Sequence, residues 1–335
     1  MAITVTFGSG VLQSEFGLLQ APLRSYIEQF GGIQNDEEKL WDKVFVKRKS
    51  EHWGEAYSGE TDVEDMVPVG ESGDYPSTSF QEAYSKIVTN VTFKQSIRIS
   101  QEAIEDGKLT DLKKKADKLT RGYHRGKARI EAAHIGNALQ GNTGFAIRSF
   151  NFDTTCADGQ CVFYTAHAPK VYGGTQSNKY ADAFSADNLF KAVLKMQDLK
   201  DENGNTIGIK PDTILIPSYN AALVKAVLVA IGSLQTPGSG NNDVNPLFGN
   251  FNVLISNYLN DYVDKTASNP PWILLDSSFN EEGDGNIYQE RIPLSVRSEL
   301  AANDDNVWKA RARYGIGFKD WRQMMALGIT GGSSL

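Results

Sequence analysis

The longest regular spacing of apolar residues in the chain lies between Leu109 and Ala133. Its apolar positions are three or four residues apart and comprise Leu109, Leu112, Ala116, Leu119, Tyr123, Gly126, Ile130 and Ala133. This spacing predicts one amphipathic helix over about residues 109–140, ended by Gly141. A coiled coil is the alternative, but a single helix with a weak apolar seam favours packing on a sheet. The Ala and Gly residues in the stripe predict that another element approaches closely there.

Alternating apolar and polar residues predict strands on either side of this helix. One strand is predicted over Thr89–Ile99 and another over 308–318. The second places apolar side chains on one face and basic side chains on the other, namely Lys309, Arg311 and Arg313. A further strand at Val44–Lys49 leaves about forty residues before the first, and loops of that length tend to be functional.

A separate α/β unit is predicted between residues 185 and 291. Ser185 or Asp187 caps a helix that runs to Leu199, and Ser218 or Pro217 begins another that runs to Ile231. Short apolar runs predict strands at 213–216, 253–256 and 272–275. The segment 141–184 and the Gly/Asn-rich segment 236–245 are predicted to be loops. Near the start of the chain, residues 12–30 have helical spacing that Pro22 interrupts or kinks.

Charge separates the chain into acidic and basic stretches. Residues 51–85 contain nine carboxylates and no Lys or Arg, whereas residues 109–133 contain eight bases against three acids. Opposite charges of this kind set register and partner choice more than affinity. We therefore expect the chain to dock on copies of itself through an acidic and a basic group of residues. The candidate residues are Glu55, Glu60, Asp62, Glu64 and Asp65 on the acidic side, and Lys114, Lys118, Arg121, Arg125, Lys309, Arg311 and Arg313 on the basic side.

The overall composition narrows the classes of function. A length of 335 residues favours two domains. The net charge of −7 argues against nucleic-acid binding as the main role, because phosphate neutralisation needs a basic face. No apolar run reaches the roughly 18 residues typical of a membrane span, and we expect no membrane partner.

The sequence predicts no catalytic, cofactor or metal site. It lacks the common nucleophile, phosphate-loop and zinc-protease motifs, and its four histidines are scattered. A thiol–imidazole pair of Cys161 with His167 lacks a third group to orient it. The polar residues from Asp201 to Asn205 are read as a turn, because the rest of a calcium loop is missing. Whether Cys156 and Cys161 pair or stay as free thiols is left open.

The order of these segments resembles the major capsid protein of tailed bacteriophages, with the Hong Kong ninety-seven type of fold. The resemblance runs from about Val44 to Leu327. It is carried by an acidic loop ending in YPSTSF, the strand TFKQSIRISQEAIEDG and the long basic helix. It continues through CVFYTAHAP, KPDTILIPSYNAALVKAVL, NPLFGNFNVLISNYL and WILLDSS to the closing VWKARARYGIGFKDWRQMMALG.

The resemblance implies an α+β fold with four parts. These are an N-terminal arm (1–44), an extended β-hairpin loop (45–93), a peripheral domain (94–184 and 292–335) that contains the spine helix at about 109–140, and an α/β axial domain (185–291). The segment 236–245 is the candidate for a tip that faces a symmetry axis. The implied function is a structural subunit that assembles into an icosahedral head enclosing double-stranded DNA.

The resemblance also implies partners. They are the chain itself in hexamers and pentamers, a scaffold, a portal, possible decoration proteins, and DNA held loosely on the inner face. The implied location is the virion shell, with synthesis in the cytoplasm of the bacterial host. Because this chain has no room for a scaffolding segment before its arm, we expect a separate scaffold or earlier processing. No Lys lies between Ser50 and Ser85, so we expect no covalent crosslinks from the loop.

Two other functions remain as alternatives. A nanocompartment shell would have a similar fold and enclose cargo enzymes. A soluble ligand-binding protein would use the α/β unit, but it needs a pocket with convergent polar groups that the sequence does not indicate.

Overall fold

The computed structural model describes residues 36–61, 66–71, 73–77, 82–100, 102, 109–171, 173–232, 247–301 and 305–335. Its helices are α1 (Asp36–Trp41), α2 (Leu109–Leu139), α3 (Ala186–Gln197), α4 (Ala221–Ala230) and α5 (Ser277–Gly283). Its strands are β1 (Val46–Lys49), β2 (Gly54–Glu60), β3 (Glu82–Thr89), β4 (Val91–Ile99), β5 (Gly144–Ile147), β6 (Phe150–Asp153), β7 (Thr213–Pro217), β8 (Asn252–Ser256), β9 (Trp272–Leu275), β10 (Asn286–Leu300), β11 (Asn306–Phe318) and β12 (Met324–Leu327). The α+β class predicted from the sequence is confirmed.

The described residues form two compact units. One contains Thr92–Arg125 and Ile292–Arg313, and the other contains Asp36–Val91, Gly126–Arg291 and Tyr314–Leu335. The division into arm, loop, peripheral domain and axial domain stays a prediction. The helix predicted at 12–30 and the loop predicted at 236–245 lie outside the described residues.

The larger unit is built on a four-stranded sheet with the order β12-β9-β7-β8. β7 and β8 are parallel, and α4 lies between them in the chain, as a parallel crossover requires. β9 runs antiparallel to β7 and to β12. All residues of β7, β9 and β12 are buried, because these strands are almost continuous apolar runs. The three strands predicted here are confirmed to within one residue.

The starts of the two helices in this unit are set by side-chain caps. Ser185 accepts a hydrogen bond from the backbone N–H of Asn188 and begins α3, as predicted. α4 begins at Asn220, not at Ser218 or Pro217 as predicted, because the Asn220 side chain accepts from the N–H of Leu223. The Ser218 hydroxyl is used elsewhere, as it donates to Asn257 Oδ1 at 2.7 Å.

The predicted long helix is confirmed as α2, whose last residue is Leu139. Gly141 adopts φ +80° just beyond it and donates its N–H to Ala138 O, so it is the predicted C-terminal stop. The close approach predicted for the stripe is not found at its glycine, Gly126, where no described atom lies within 4 Å of an added Cβ. A close approach occurs three residues beyond the stripe, at Gly136, where an added Cβ would lie 2.2 Å from Tyr262 Cβ.

A second sheet has the order β1-β10-β11-β4, and its strand β11 confirms the predicted alternation. The residues Trp308, Ala310, Ala312, Tyr314, Ile316 and Phe318 are all buried. β10 was missed, because the polar run Gln289–Arg291 interrupts its apolar residues and Pro293 lies within it. The expected loop at 141–184 is partly wrong, since β5 and β6 pair there as a hairpin with Gly144 opposite Asp153.

Candidate intersubunit surfaces

β2 and β3 form a β-hairpin within the predicted long loop, as the resemblance implies. They pair antiparallel, with Gly54 opposite Thr89 and Glu60 opposite Glu82. The strand predicted over Thr89–Ile99 is therefore divided at Asn90, which separates β3 from β4. The hairpin belongs to the larger unit, and its two ends differ in how they are held.

The base of the hairpin is fastened by buried amide groups. Asn90 donates from Nδ2 to Ser50 Oγ at 2.7 Å and to His52 O at 2.9 Å. Gln289 on β10 donates from Nε2 to Val88 O at 2.7 Å and to Asn90 Oδ1 at 3.0 Å. Buried amides that satisfy their hydrogen bonds hold one geometry, so this end of the hairpin is rigid.

The middle of the hairpin is held by an ion pair. Lys86 Nζ lies 2.5 Å from Asp153 Oδ2 and donates to Thr155 Oγ1 at 2.7 Å. Partial burial raises the pKa of Asp153, but hydrogen bonds from Lys86 and Thr155 outweigh it and bring that pKa below its ordinary value. Lys86 itself is almost completely buried. β3 is thus fixed to the hairpin β5–β6 at a second point.

Glu55, one of the predicted docking carboxylates, is engaged within its own subunit. Its Oε1 accepts hydrogen bonds from the backbone N–H of His52, the N–H of Glu51 and the hydroxyl of Ser50. These bonds lower the pKa of Glu55, with the His52 N–H as the largest cause. The carboxylate therefore closes the turn that leads into β2.

Of the other predicted carboxylates, the structure describes the backbone of Glu60, which ends β2. Glu60 stands opposite Glu82, so two acidic residues share one register position. Asp62, Glu64 and Asp65 lie outside the described residues.

Exposed apolar side chains, which sequence reasoning missed, follow in the same segment. Met66, Val67, Val69 and Tyr75 are exposed, and Met66 and Tyr75 keep 102% and 96% of their full accessible surface. The signal was present as four large apolar residues within an acidic, Gly- and Pro-rich stretch.

The predicted basic residues of α2 share one face. Lys114, Lys118, Arg121 and Arg125 recur at spacings of three and four, which places them on neighbouring turns of one side. The side chains of Lys118, Arg121 and Arg125 are exposed, and that of Lys114 is outside the described part. Arg129 continues the row and lies 5.4 Å from the ring of Tyr258.

Lys127, which the sequence analysis counted among the helix bases, belongs to a buried cluster instead. Its Nζ lies 2.8 Å from Asp42, 3.0 Å from Glu38 and 3.9 Å from Glu131. It also lies 4.4 Å from the ring of Tyr288. Burial raises the pKa of Glu131, and the ammonium of Lys127 opposes that rise only in part. Lys127 thus ties α1 to α2.

The basic side of β11 is partly neutralised within its own unit. Lys309 forms an ion pair with Glu299 on β10. Arg311 is exposed and Arg313 is half-buried. Ser295 donates its hydroxyl to Arg311 O at 3.2 Å, which fixes the backbone beneath this side of the strand.

The candidate chemistry set aside in the sequence analysis has structural explanations. The His167 Nδ1 lies 2.6 Å from Asp158, and its ring stacks on Trp321 at 4.2 Å. Cys156 and Cys161 are both free thiols and both buried.

Asp201 Oδ1 accepts from the N–H groups of Asn203 and Asn205, which confirms a polar turn. Within the described ranges, no cluster of His, Cys, Asp or Glu has the geometry to hold a metal ion.

None of the described helices combines the length and the apolar composition needed to cross a bilayer.

Comparisons with known proteins place these features in a family. Residues 83–326 match the family model described as phage capsid protein. No curated protein sequence matches the chain. The fold resembles that of the bacteriophage PhiM1 mature capsid, with 10% identity over 98% of this chain and 93% of that chain and a TM-score of 0.52.

Two further capsid structures are similar to the same extent. The capsid of cyanophage P-SCSP1u has 12% identity over 97% of this chain and 92% of that chain, with a TM-score of 0.51. The capsid of the native GTA particle has 14% identity over 88% of this chain and 91% of that chain, with a TM-score of 0.50. At these identities the structures establish the shared fold, and the family model establishes the membership.

Proposed function

Because the chain belongs to the phage capsid protein family, we propose that it closes an icosahedral head through contacts between the β2–β3 hairpin of one subunit and the basic residues of a neighbour. The protein is a structural capsid subunit of the virion shell. The proposal concerns how that subunit assembles and what it encloses. It is supported above all by the hairpin, whose base is fixed by buried amides while its far end stays exposed.

In this proposal the parts of the chain have separate roles. Residues 1–44 form an arm and 45–93 the extended loop. Residues 94–184 and 292–335 form the peripheral domain, and 185–291 the axial domain, which meets its copies in hexamers and pentamers. Closed shells arise because weak contacts are repeated by symmetry.

Charge contacts set the register of the loop on its neighbour. Glu60, Asp62, Glu64 and Asp65 meet either the exposed row that contains Lys118, Arg121 and Arg125 or the side of β11 that carries Arg311. Single exposed pairs contribute about 0–1 kcal/mol. Their repetition controls which assembly forms and how it responds to salt. Glu55 contributes through the turn before β2, because its carboxylate is already occupied.

The remaining partners follow from the same role. A scaffold, a portal and possible decoration proteins act with the shell, and double-stranded DNA is held loosely on its inner face. Synthesis takes place in the cytoplasm of the bacterial host. The subunit itself performs no catalysis and requires no cofactor. A nanocompartment shell would share the fold, and no feature of the described residues favours it.

Electron microscopy with light scattering on the purified protein, with and without scaffold, tests the function. We expect closed shells of several hundred ångströms. A stable monomer under all salt and protein concentrations, even with scaffold present, would contradict it.

The charge contact has its own test, in which Glu60, Asp62, Glu64 and Asp65 are all replaced by Lys. We expect a folded subunit whose assembly is abolished or misdirected, because like charges then meet at the contact. The matched control replaces Glu281 and Glu282 on α5 by Lys, which changes the charge away from the hairpin. Normal shells from the loop variant would exclude charge docking by these residues.

A further inference from the structure

We propose that the described residues 66–71 and 73–77, here called the hairpin tip, are an apolar anchor that buries Met66, Val67, Val69 and Tyr75 on a second copy of the chain. This inference rests on the proposed loop contact. It assigns the affinity of that contact to apolar side chains and leaves the carboxylates to set register.

The first observation is the degree of exposure. Met66 and Tyr75 keep 102% and 96% of their full accessible surface, and Val67 and Val69 keep 57% and 53%. Scattered exposed apolar residues are ordinary on a protein surface. Four large ones within ten residues of one segment concentrate exposed apolar surface, and such concentrations mark interaction sites.

The second observation is that the local backbone has few conformations in which these side chains could fold back onto their own subunit. Gly73 donates its N–H to Gly70 O at 2.9 Å, which forms a tight turn between Val69 and Tyr75. Pro68 and Pro76 fix φ next to Val67 and Tyr75. The residues preceding the prolines are further restricted to extended conformations. A segment constrained in this way loses less entropy when it binds.

The third observation concerns the relative strength of the two kinds of contact. The tip carboxylates Glu71 and Asp74 are exposed, and exposed ion pairs contribute little affinity. Burial of Met and Tyr side chains contributes more, and aromatic residues are over-represented among the dominant contacts of interfaces. Tyr75 combines a large apolar ring with a hydroxyl that can stay at a polar rim.

The partner that covers the hairpin tip follows from the role of the chain. A subunit of a closed shell is surrounded mainly by copies of itself, and the acidic flank of the tip is complementary to the exposed bases of α2. The tip therefore fits a second copy of this chain, beside the exposed basic side chains of α2.

The test compares the double variant Met66→Ser/Tyr75→Ser with Glu71→Ser/Asp74→Ser, which removes charge from the same segment and keeps its apolar residues. The readout is the protein concentration at which half of the subunits are in shells. We expect the apolar variant to raise it at least about ten-fold at every salt concentration, and the charge variant to change it less than about two-fold. Ammonium sulfate should strengthen wild-type assembly, and cooling should weaken it.

The exposed positions of both substitutions predict unchanged unfolding midpoints, which separates assembly from folding. Assembly of the apolar variant at the wild-type concentration would overturn the anchor. A third variant, in which an Asn-Gly turn replaces residues 61–81, separates this inference from the function beneath it. If that shortened hairpin assembles like the wild type, the loop contact itself is wrong; if only the apolar variant assembles normally, the anchor alone fails.

Discussion

Lys127 illustrates how one residue can look like surface charge in the sequence and act as a core residue in the fold. It lies on α2 among exposed bases, yet its side chain is only 2% exposed. Its partner Glu38 is on α1 and its partner Asp42 directly follows that helix, both more than eighty residues away in the chain. A buried charge is tolerated only when partners of opposite charge compensate for its lost hydration.

Replacing Lys127 by Met should destabilise the subunit strongly. The substitution keeps the length of the side chain but leaves Glu38 and Glu131 buried without their cation. We expect a loss of about 3–5 kcal/mol in the free energy of unfolding, measured by denaturant titration. Lys225→Met on the exposed side of α4 is the control, with an expected change within about 0.5 kcal/mol. Equal effects of the two variants would contradict the buried cluster.

The buried residue His134 should make the free energy of unfolding depend on pH. Its ring packs edge-on against Phe145, Phe152 and Phe318, and Nδ1 lies 2.8 Å from Ile130 O. Burial lowers the pKa of His134 from 6.5 to about 4. As the pH falls below 6.5, the unfolded chain takes up a proton that the folded chain takes up only near pH 4.

The free energy of unfolding should therefore decrease as the pH falls through this window. The contribution of His134 is at most about 3 kcal/mol between pH 6.5 and 4. We predict that His134→Phe, which keeps an aromatic ring and removes the titration, lowers this slope relative to the wild type. The raised pKa of Glu131 acts in the opposite direction and cancels in the comparison. A constant difference between the two proteins across the range would refute the assignment.

At the scale of elements, α2 shows how one helix combines an open side with a tightly packed one. Gly126 and Gly136 lie ten residues apart on the same helix. The first faces open space, and the second is in contact with Tyr262. Of these two glycines, only Gly136 occupies a position that requires the absence of a side chain.

Alanine substitutions at these two glycines should act in opposite directions. Gly126→Ala should stabilise the subunit by about 1 kcal/mol, because Ala has the higher helix propensity. Gly136→Ala should destabilise it by about 1–3 kcal/mol, because its Cβ would overlap Tyr262. Thermal unfolding of the two variants tests this directly. Each is the control for the other, and shifts of the same sign would show that Tyr262 does not pack as described.

At the scale of the whole molecule, the distribution of charge limits what the shell interior can do. The net charge is −7, although α2 and β11 carry rows of bases. The net negative charge of the subunit repels DNA phosphates, and this repulsion opposes the attraction that the basic rows exert on them. Contact with packaged DNA should then be loose and independent of sequence.

Binding of the unassembled subunit to a labelled DNA duplex measures this limit. We expect a dissociation constant no tighter than about 10⁻⁶ M at physiological salt, with no difference between sequences, and a steep loss as salt rises. The variant Lys118→Ser/Arg121→Ser/Arg125→Ser shows whether the row on α2 takes part. Nanomolar or sequence-selective binding would contradict a passive inner wall.

The sequence by itself determined the elements whose signals are local. The repeat of three and four residues specified α2, the alternation around Trp308 specified β11, and Gly141 marked the end of the helix. Apolar runs identified β7 and β9, since strands buried on both faces need no polar side chains. A shorter apolar run identified the edge strand β8. These patterns, taken in order, were also enough to indicate the capsid family that the match over residues 83–326 establishes.

Tertiary structure decided the features that depend on partners distant in the chain. Lys127 is buried because Glu38 and Asp42 meet it, and Gln289 holds the hairpin base because β10 passes beside Asn90. The polar residues of β10 do not indicate a strand by themselves, because their pairing with β1 and β11 arises only in the folded sheet. The exposure of Met66 and Tyr75 was equally hidden, because hydrophobicity in a sequence does not say whether anything covers a side chain. Local periodicity encodes elements, whereas burial and pairing depend on contacts that the chain makes only after folding.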